Sequence, residues 1–181
     1  MANVGTMIES IDIERVMLND IIQLQKICRQ TFYETFSEGN TEENMDKYLE
    51  EGFSVEKLTA ELENEESEFY FALHGKNVIG YLKLNSGQSQ NELKEEKGLE
   101  IERIYVLKEY LGRKVGQLLY DKAIQIAVLN NAEYVWLGVW EENQRAISFY
   151  GKNGFVEFDK HIFKLGDDEQ TDIMMKLILR Q

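Results

Sequence analysis

The chain has 181 residues, of which 43% are hydrophobic and 29% charged, so it is long and apolar enough for one domain with a single core. Its 33 acidic and 20 basic residues give a net charge of −13, which disfavours nucleic-acid binding because that role needs cations to neutralise phosphates. No apolar run approaches the roughly 18 residues that span a bilayer, and the N-terminus lacks the pattern of a signal peptide. These features favour a soluble cytoplasmic protein. Cys28 is the single cysteine of the sequence, so no internal disulfide is possible.

The first half of the chain predicts a strand, three helices and a β-hairpin. Residues 1–10 have no periodic pattern and are expected to be a loose extension of a single domain over 1–181. Asn19 or Asp20 can cap the first helix, whose Cys28 is expected to be a buried, inert thiol. The predicted elements are a strand over 13–17, helices over 20–36, 41–50 and 54–64, and hairpin strands over 69–73 and 78–84.

The second half alternates strands with helices after a polar segment, 85–97, that is expected to be a loop. The run 134–139 is almost wholly apolar, as expected of a central strand covered on both faces. The predicted elements are a strand over 99–107, a helix over 115–129, a strand over 134–139, a helix over 143–151, and strands over 154–161 and 171–179. This order predicts a mixed α/β sheet.

The turn between strand 99–107 and helix 115–129 has features of a phosphate site. Free amide groups and the helix dipole favour an anion there. Gly112 and Gly116 allow close approach, and Lys108, Arg113 and Lys114 add positive charge. A Walker loop is excluded because its glycine spacing and its Gly-Lys-Ser/Thr ending are missing. A plain connecting turn explains the pattern equally well.

The helix after the apolar strand carries a second pattern. Asn143 can cap this helix and offer an amide to a ligand. Tyr150 stands at the helix end, where its hydroxyl can reach a site between strands, although periodicity alone makes it a core aromatic. The pattern reads Asn143-x-x-Ala146-x-x-Phe149-Tyr150-x-x-x-Gly154-Phe155.

Together the two segments resemble the GNAT superfamily of acetyl-CoA-dependent N-acetyltransferases, over residues 13–179. Within it, the stretches 31–36, 99–106, 136–141 and 166–172 are similar to bacterial spermidine/spermine N-acetyltransferases of the PaiA type. The resemblance implies the GNAT fold, a central mixed but mostly antiparallel sheet flanked by helices. It also implies transfer of acetyl from acetyl-CoA to a primary amine of a polyamine.

One departure concerns the family's pyrophosphate loop, Gln/Arg-x-x-Gly-x-Gly/Ala. Leu111 takes the first position, Lys114 replaces the first glycine, and Gly116 remains. The Lys114 side chain either crowds the phosphate or pairs with it, and Gly112 offers a shifted turn.

The resemblance implies a ternary complex in which a free amine attacks the thioester. Backbone groups around 104–106 would hold the pantetheine arm and polarise the thioester carbonyl. Tyr150 would donate a proton to the leaving thiolate, since its usual pKa near 10 keeps it protonated. The implied cofactor-binding residues are Ile104, Tyr105, Val106, Leu111, Gly112, Arg113, Lys114, Val115, Gly116, Asn143 and Tyr150.

The incoming ammonium must lose a proton, and Glu102 is the candidate base, directly or through water. Glu100 shares its strand face, and paired acids can raise one another's pKa. The alternative is that one of the two acids faces solvent and the other pairs with Arg103 or Lys108.

The resemblance places the acceptor wall at four residues whose carboxylates and aromatic faces suit a polycation, namely Tyr33, Glu34, Phe36 and Glu38.

His74 and His161 lack companions at metal-ligand spacing, so no metal is expected and each histidine is expected to be structural or at the surface. No nucleic-acid or membrane partner is expected, and edge strands are compatible with a homodimer. Other acceptors, such as another small amine or a protein N-terminus, stay open, as does a non-catalytic ligand sensor.

Overall fold

Seven strands form one sheet in the part of the chain that the computed structural model describes, residues 10–165 and 168–179. The strands are β1 (Ile11–Arg15), β2 (Ser67–His74), β3 (Asn77–Ser86), β4 (Gly98–Val106), β5 (Tyr134–Trp140), β6 (Val156–Leu165) and β7 (Asp168–Ile178). The helices are α1 (Ile21–Phe36), α2 (Glu42–Gly52), α3 (Val55–Glu63), α4 (Val115–Leu129) and α5 (Gln144–Lys152). Each predicted strand and helix is present with bounds shifted by a few residues, and the predicted extension lies outside the described residues except for Ser10.

The sheet has the order β1-β2-β3-β4-β5-β7-β6, and all neighbouring strands are antiparallel except β4 and β5. This confirms the predicted mixed, mostly antiparallel sheet. β4 and β5 pair in parallel over only three positions, from Gly98 opposite Tyr134 to Glu100 opposite Trp136. Beyond those positions the two strands diverge and leave a gap in the middle of the sheet.

Short polar side chains begin three of the helices. Thr41, Ser54 and Asn143 each accept a hydrogen bond from the backbone N–H three residues on, at 3.1–3.2 Å. Asp20 precedes α1 as predicted, but its carboxylate accepts a bond from the Met17 N–H at 2.9 Å instead of capping the helix. The bond closes a 3₁₀ turn that leads into α1.

One hydrophobic core joins the sheet to its helices, with α1 and α4 both packing on β3 and β4. Cys28 is fully buried in this core, as predicted, and burial raises its pKa to about 12. In the described ranges, no helix has the length and apolar character needed to cross a membrane.

Candidate active site

The gap between β4 and β5 exposes backbone groups that a closed sheet would use. The Leu107 N–H donates to the Ile79 carbonyl of β3 at 2.9 Å. Because backbone groups alternate sides along a strand, the N–H groups of Ile104 and Val106 point to the opposite edge of β4, into the gap. The backbone N–H and C=O groups of Tyr105 face β3, and its side chain lines the space at the gap.

Two cavities meet at this gap. The large groove has a volume of about 860 Å³ and runs past the turn before α4, whereas the small cavity, of about 360 Å³, lies among α1, α2, β4, β5 and β7. Both volumes fall in the range of small-molecule sites. The residues that line both are Thr35, Ile104, Tyr105, Trp140, Asn143, Ala146 and Tyr150.

The turn before α4 forms an anion cradle at one end of the large groove. Gly112 and Lys114 both adopt left-handed backbone conformations, with φ of +83° and +64°. In the described part of the chain, the amide groups of Val115, Gly116 and Gln117 have no hydrogen-bond acceptor. A Cβ added to Gly116 would meet no atom within 4 Å. The cradle therefore combines open space, free N–H groups and a helix N-terminus, which suits a phosphate.

Three cations line the large groove: Lys108, Lys114 and Arg145. The Arg113 guanidinium stacks on the Tyr110 ring at 5.1 Å and is not among the lining residues. Arg145 was missed by sequence reasoning. Arg145 lies two residues after Asn143, the N-cap of α5. The fold brings its guanidinium to the turn before α4, where Nη2 would be 4.0 Å from a Cβ added to Gly112.

Tyr150 lies where the groove and the cavity join. Its side chain is buried, with its ring 5.3 Å from that of Phe149 and 5.5 Å from that of Phe155. Burial, and then the neighbouring Tyr105 and Tyr120, raise the pKa of Tyr150, so its hydroxyl stays protonated and able to donate. Asn143 also lines both spaces, and its Oδ1 accepts a hydrogen bond from the Ala146 N–H. The residue that caps α5 is therefore also a residue of the site.

Glu102 belongs to a buried ion-pair network, which we call the charge network: Glu61, Lys83, Glu102 and Arg103. The Glu102 carboxylate lies 2.6 Å from the Lys83 ammonium and 3.1 Å from the Arg103 guanidinium, and it accepts from Asn85 Nδ2 at 2.5 Å. Glu61 contacts both cations at 3.0–3.2 Å. Burial raises the pKa of Glu102, but Arg103 and Lys83 outweigh it, and the pKa is lowered. Glu102 is thus held in ion pairs with Lys83 and Arg103, and the pair with Arg103 is the one that the sequence offered as the alternative to a base.

Glu100 is also held in structural bonds. Its carboxylate accepts from the Asn91 backbone at 3.0 Å, the Asn91 side chain at 2.8 Å and the Asn85 side chain at 3.1 Å. Burial raises the pKa of Glu100 despite these bonds. The two bonds from Asn91 hold the 90–97 loop against the sheet, and this loop brings Glu92 to within 3.3 Å of His161.

Asp172 on β7 is a further carboxylate of the small cavity. It pairs in register with Trp140 of β5 and His161 of β6. Burial raises its pKa to about 6, with His161 lowering it and Glu92 raising it. In the sequence, Asp172 is the last residue of the stretch 166–172 that carries the resemblance. Nothing else in the sequence marked this acid as a site residue.

The structure places the four residues of the predicted acceptor wall in different positions. Phe36 lines the small cavity, 5.7 Å from the Trp140 ring. Glu34 lies on the large groove instead, where it accepts the Lys108 N–H at 2.8 Å. Tyr33 and Glu38 are exposed and line neither space. The helical period explains this, since it turns Phe36 towards the sheet and Tyr33 towards solvent.

The histidines fall in different places. His74 packs edge-on against Tyr110 at 5.8 Å, outside the small cavity, whereas His161 lines that cavity. Among residues 10–165 and 168–179, no group of three or more His, Cys, Asp or Glu side chains could hold a metal ion.

A profile of the Acetyltransferase (GNAT) family matches residues 24–155, which include most of α1, the gap and α5. The chain belongs to this family. It is an acetyl-CoA-dependent N-acetyltransferase.

Relatives agree with this assignment over nearly the whole chain. An uncharacterized N-acetyltransferase of Lactobacillus delbrueckii subsp. lactis is 40% identical over 93% of this chain and 98% of its own length. The spermidine N(1)-acetyltransferase of Thermoplasma acidophilum is 27% identical over 92% and 96%. The crystal structure of the PaiA N-acetyltransferase from Thermoplasma acidophilum in complex with coenzyme A is similar with a TM-score of 0.77, 26% identity, and coverage of 94% and 99%. The resemblance to PaiA-type enzymes is thereby confirmed.

Proposed function

We propose that the protein transfers an acetyl group from acetyl-CoA to a primary amine of a polyamine such as spermidine or spermine. The observation that carries the proposal is that a groove with a phosphate cradle and a cavity with surplus carboxylates share one opening at Tyr150. The relative named as a spermidine N(1)-acetyltransferase supports the acceptor class.

The charge of the small cavity favours a cationic acceptor. In the charge network, two cations are balanced by two carboxylates, so Arg103 leaves no net positive charge on the cavity wall. Apart from tyrosines, the remaining titratable wall residues are Lys57, His161 and three carboxylates, namely Glu92, Glu100 and Asp172. Aromatic faces of Tyr48, Phe53 and Trp140 complete the wall and suit alkylammonium groups.

In this proposal the large groove holds acetyl-CoA. The cradle at Gly116 binds the pyrophosphate with backbone N–H groups, and Lys108, Lys114 and Arg145 add charge. The backbone of β4 at Ile104 and Val106 holds the pantetheine arm as a further strand would. One of these N–H groups stabilises the oxyanion that forms when the thioester is attacked.

The reaction is a direct transfer within a ternary complex. The amine nitrogen forms a bond to the thioester carbon, and the carbon–sulfur bond breaks as the tetrahedral intermediate collapses. Tyr150 donates its proton to the leaving sulfur and recovers one from the acylated nitrogen, so the products are the acetamide and CoA thiol.

The proposal is tested by release of CoA thiol from acetyl-CoA with spermidine, spermine, other small amines and a peptide with a free N-terminus. We expect saturable release that favours the polyamines. Tyr150→Phe is expected to lower kcat by about 10²-fold, whereas Tyr70→Phe, at a buried tyrosine of β2 that lines neither space, keeps the original rate. Release with other amines only would overturn the polyamine assignment. No release and no acetyl-CoA binding would indicate a non-catalytic protein.

A further inference from the structure

The acceptor amine arrives as an ammonium, so the proposed function needs a group in the small cavity that removes a proton. Of the carboxylates there, Glu102 is bonded to two cations and Glu100 accepts three N–H groups. Glu92 pairs with His161 at 3.3 Å. A carboxylate whose oxygens already accept hydrogen bonds or form an ion pair has to give up those contacts to reach a substrate, so these three are held in structural roles.

Asp172 differs from these acids in its contacts. Among the described residues, its carboxylate has no hydrogen bond or ion pair with another side chain. It projects over the bare backbone of Gly138 on β5, where an added Cβ would lie 3.5 Å from Asp172 Oδ2. The missing side chain at Gly138 therefore leaves room for this carboxylate beside the gap.

Position along the sheet brings Asp172 to the reacting end of the cavity. Asp172 lies opposite Trp140 in the β5–β7 register, and Trp140 lines both the groove and the cavity. Tyr105 and Tyr150, which also line both spaces, belong to the same cavity wall. An amine in the small cavity beside the gap therefore shares the cavity wall with β4, Tyr150 and Asp172.

We infer that Asp172 is the general base that deprotonates the acceptor ammonium. The inference rests on the proposed function. One proton passes from the ammonium nitrogen to an Asp172 oxygen, the neutral amine attacks the thioester carbon, and Asp172 returns the proton to solvent after the product leaves. Glu102 acts as a positioning residue that holds the charge network under β4.

Burial, His161 on β6 and Glu92 on the 90–97 loop set the protonation of Asp172. The other titratable or charged groups on the same cavity wall are Tyr48 on α2, Lys57 on α3, Tyr150 on α5, and Glu100, Glu102, Arg103 and Tyr105 on β4. Burial dominates and places the pKa at about 6. A base with this pKa is ionised at neutral pH and still takes up a proton readily, which is the range that general-base catalysis needs.

The test is the pH dependence of kcat/KM for spermidine with the whole protein and with Asp172→Asn. The unchanged protein is expected to lose activity below about pH 6 and to level off above it. Asp172→Asn is expected to lower kcat/KM at pH 7 by about 10²-fold or more. In this variant the rate should rise about tenfold per pH unit through pH 8, since only the free amine then reacts. An acceptor amine of low pKa should restore much of the loss.

Asp159→Asn provides the matched control, since Asp159 is an exposed aspartate on the neighbouring β6. It should keep the original pH profile. Thermal unfolding and acetyl-CoA affinity, measured on each variant, show that Asp172→Asn folds and binds the cofactor.

Two results would overturn the inference. If Asp172→Asn keeps the acid limb and changes only KM, the residue binds the acceptor and another group is the base. If the unchanged protein transfers acetyl to no amine, the proposed function fails and the inference fails with it. The first result leaves the proposed function standing, so the two failures are distinguishable.

Discussion

The large groove and the small cavity meet at one opening but are built in different ways. The groove is formed mainly by one continuous stretch, 104–117, together with the start of α5, and its key groups are backbone amides. The small cavity takes side chains from α1, α2, β4, β5, β6, β7 and the 90–97 loop. A site built from backbone groups keeps its ligand when a side chain is substituted. A site built from side chains changes its ligand preference when one of those side chains is substituted. The fold can therefore keep one cofactor while its acceptors diverge.

Among the changes that affect one region and not the other, the largest effect is expected from a substitution in the charge network beneath the small cavity. Glu61→Gln removes one of two carboxylates from a buried set that holds Lys83 and Arg103. Since breaking a buried ion pair leaves an uncompensated charge, we expect the free energy of unfolding to fall by about 3 kcal/mol. Chemical denaturation measures the loss, and acetyl-CoA affinity below the unfolding transition should stay the same.

Glu63→Gln is the control for this change, because Glu63 lies on the same helix, α3, but is exposed. It should alter stability by no more than about 0.5 kcal/mol. Equal stability losses in the two variants would show that the charge network does not support the cavity.

A second change addresses the groove alone. Gly116→Leu fills the open space over the cradle, so we expect the Kd for CoA to rise by about 10-fold or more. Gly151→Leu is a matched control, since Gly151 is also a helical glycine whose added Cβ meets no atom within 4 Å. Calorimetric titration of both variants with CoA measures the difference. Unchanged affinity in Gly116→Leu would place the pyrophosphate elsewhere.

Asp172 gives a smaller prediction, on stability. Its folded pKa of about 6 lies above its ordinary value of 3.8, so the folded state binds more protons and stability falls as pH rises between these values. Above pH 6 the penalty is fully present. After allowance for solvent screening, Asp172→Asn should stabilise the protein by about 1–2 kcal/mol at pH 7.5 and by almost nothing at pH 4. A gain that does not change with pH between 4 and 7.5 would contradict this account of the carboxylate.

The smallest effect is expected at Lys114, whose φ of +64° is unfavourable for a residue with a side chain. If its charge pairs with phosphate, Lys114→Ala and Lys114→Gly should both weaken CoA binding about threefold. The glycine variant should unfold at higher denaturant, since it relieves strain of about 1 kcal/mol. Tighter CoA binding in both variants would mean that the lysine side chain crowds the cradle.

The same contrast explains what could be predicted from the sequence. The strands and helices and the turn around Gly112 and Gly116 follow from local patterns, because period and glycine placement act over a few residues. Arg145 and Asp172 could not be found this way, since their roles depend on which strands become neighbours. The ion pair between Glu102 and Lys83 could not be predicted for the same reason: Lys83 lies on another strand, and the register between the two strands is a property of the sheet.

The central claim is that one amine in the small cavity attacks one thioester in the large groove through the β4–β5 gap. It is tested most directly with an inhibitor in which a primary nitrogen of spermidine is joined to the CoA sulfur through an acetyl linker. We expect this compound to compete with both acetyl-CoA and spermidine and to bind far more tightly than CoA, because the second half binds intramolecularly. Competition with acetyl-CoA alone, at the affinity of CoA, would contradict the claim that groove and cavity form one site.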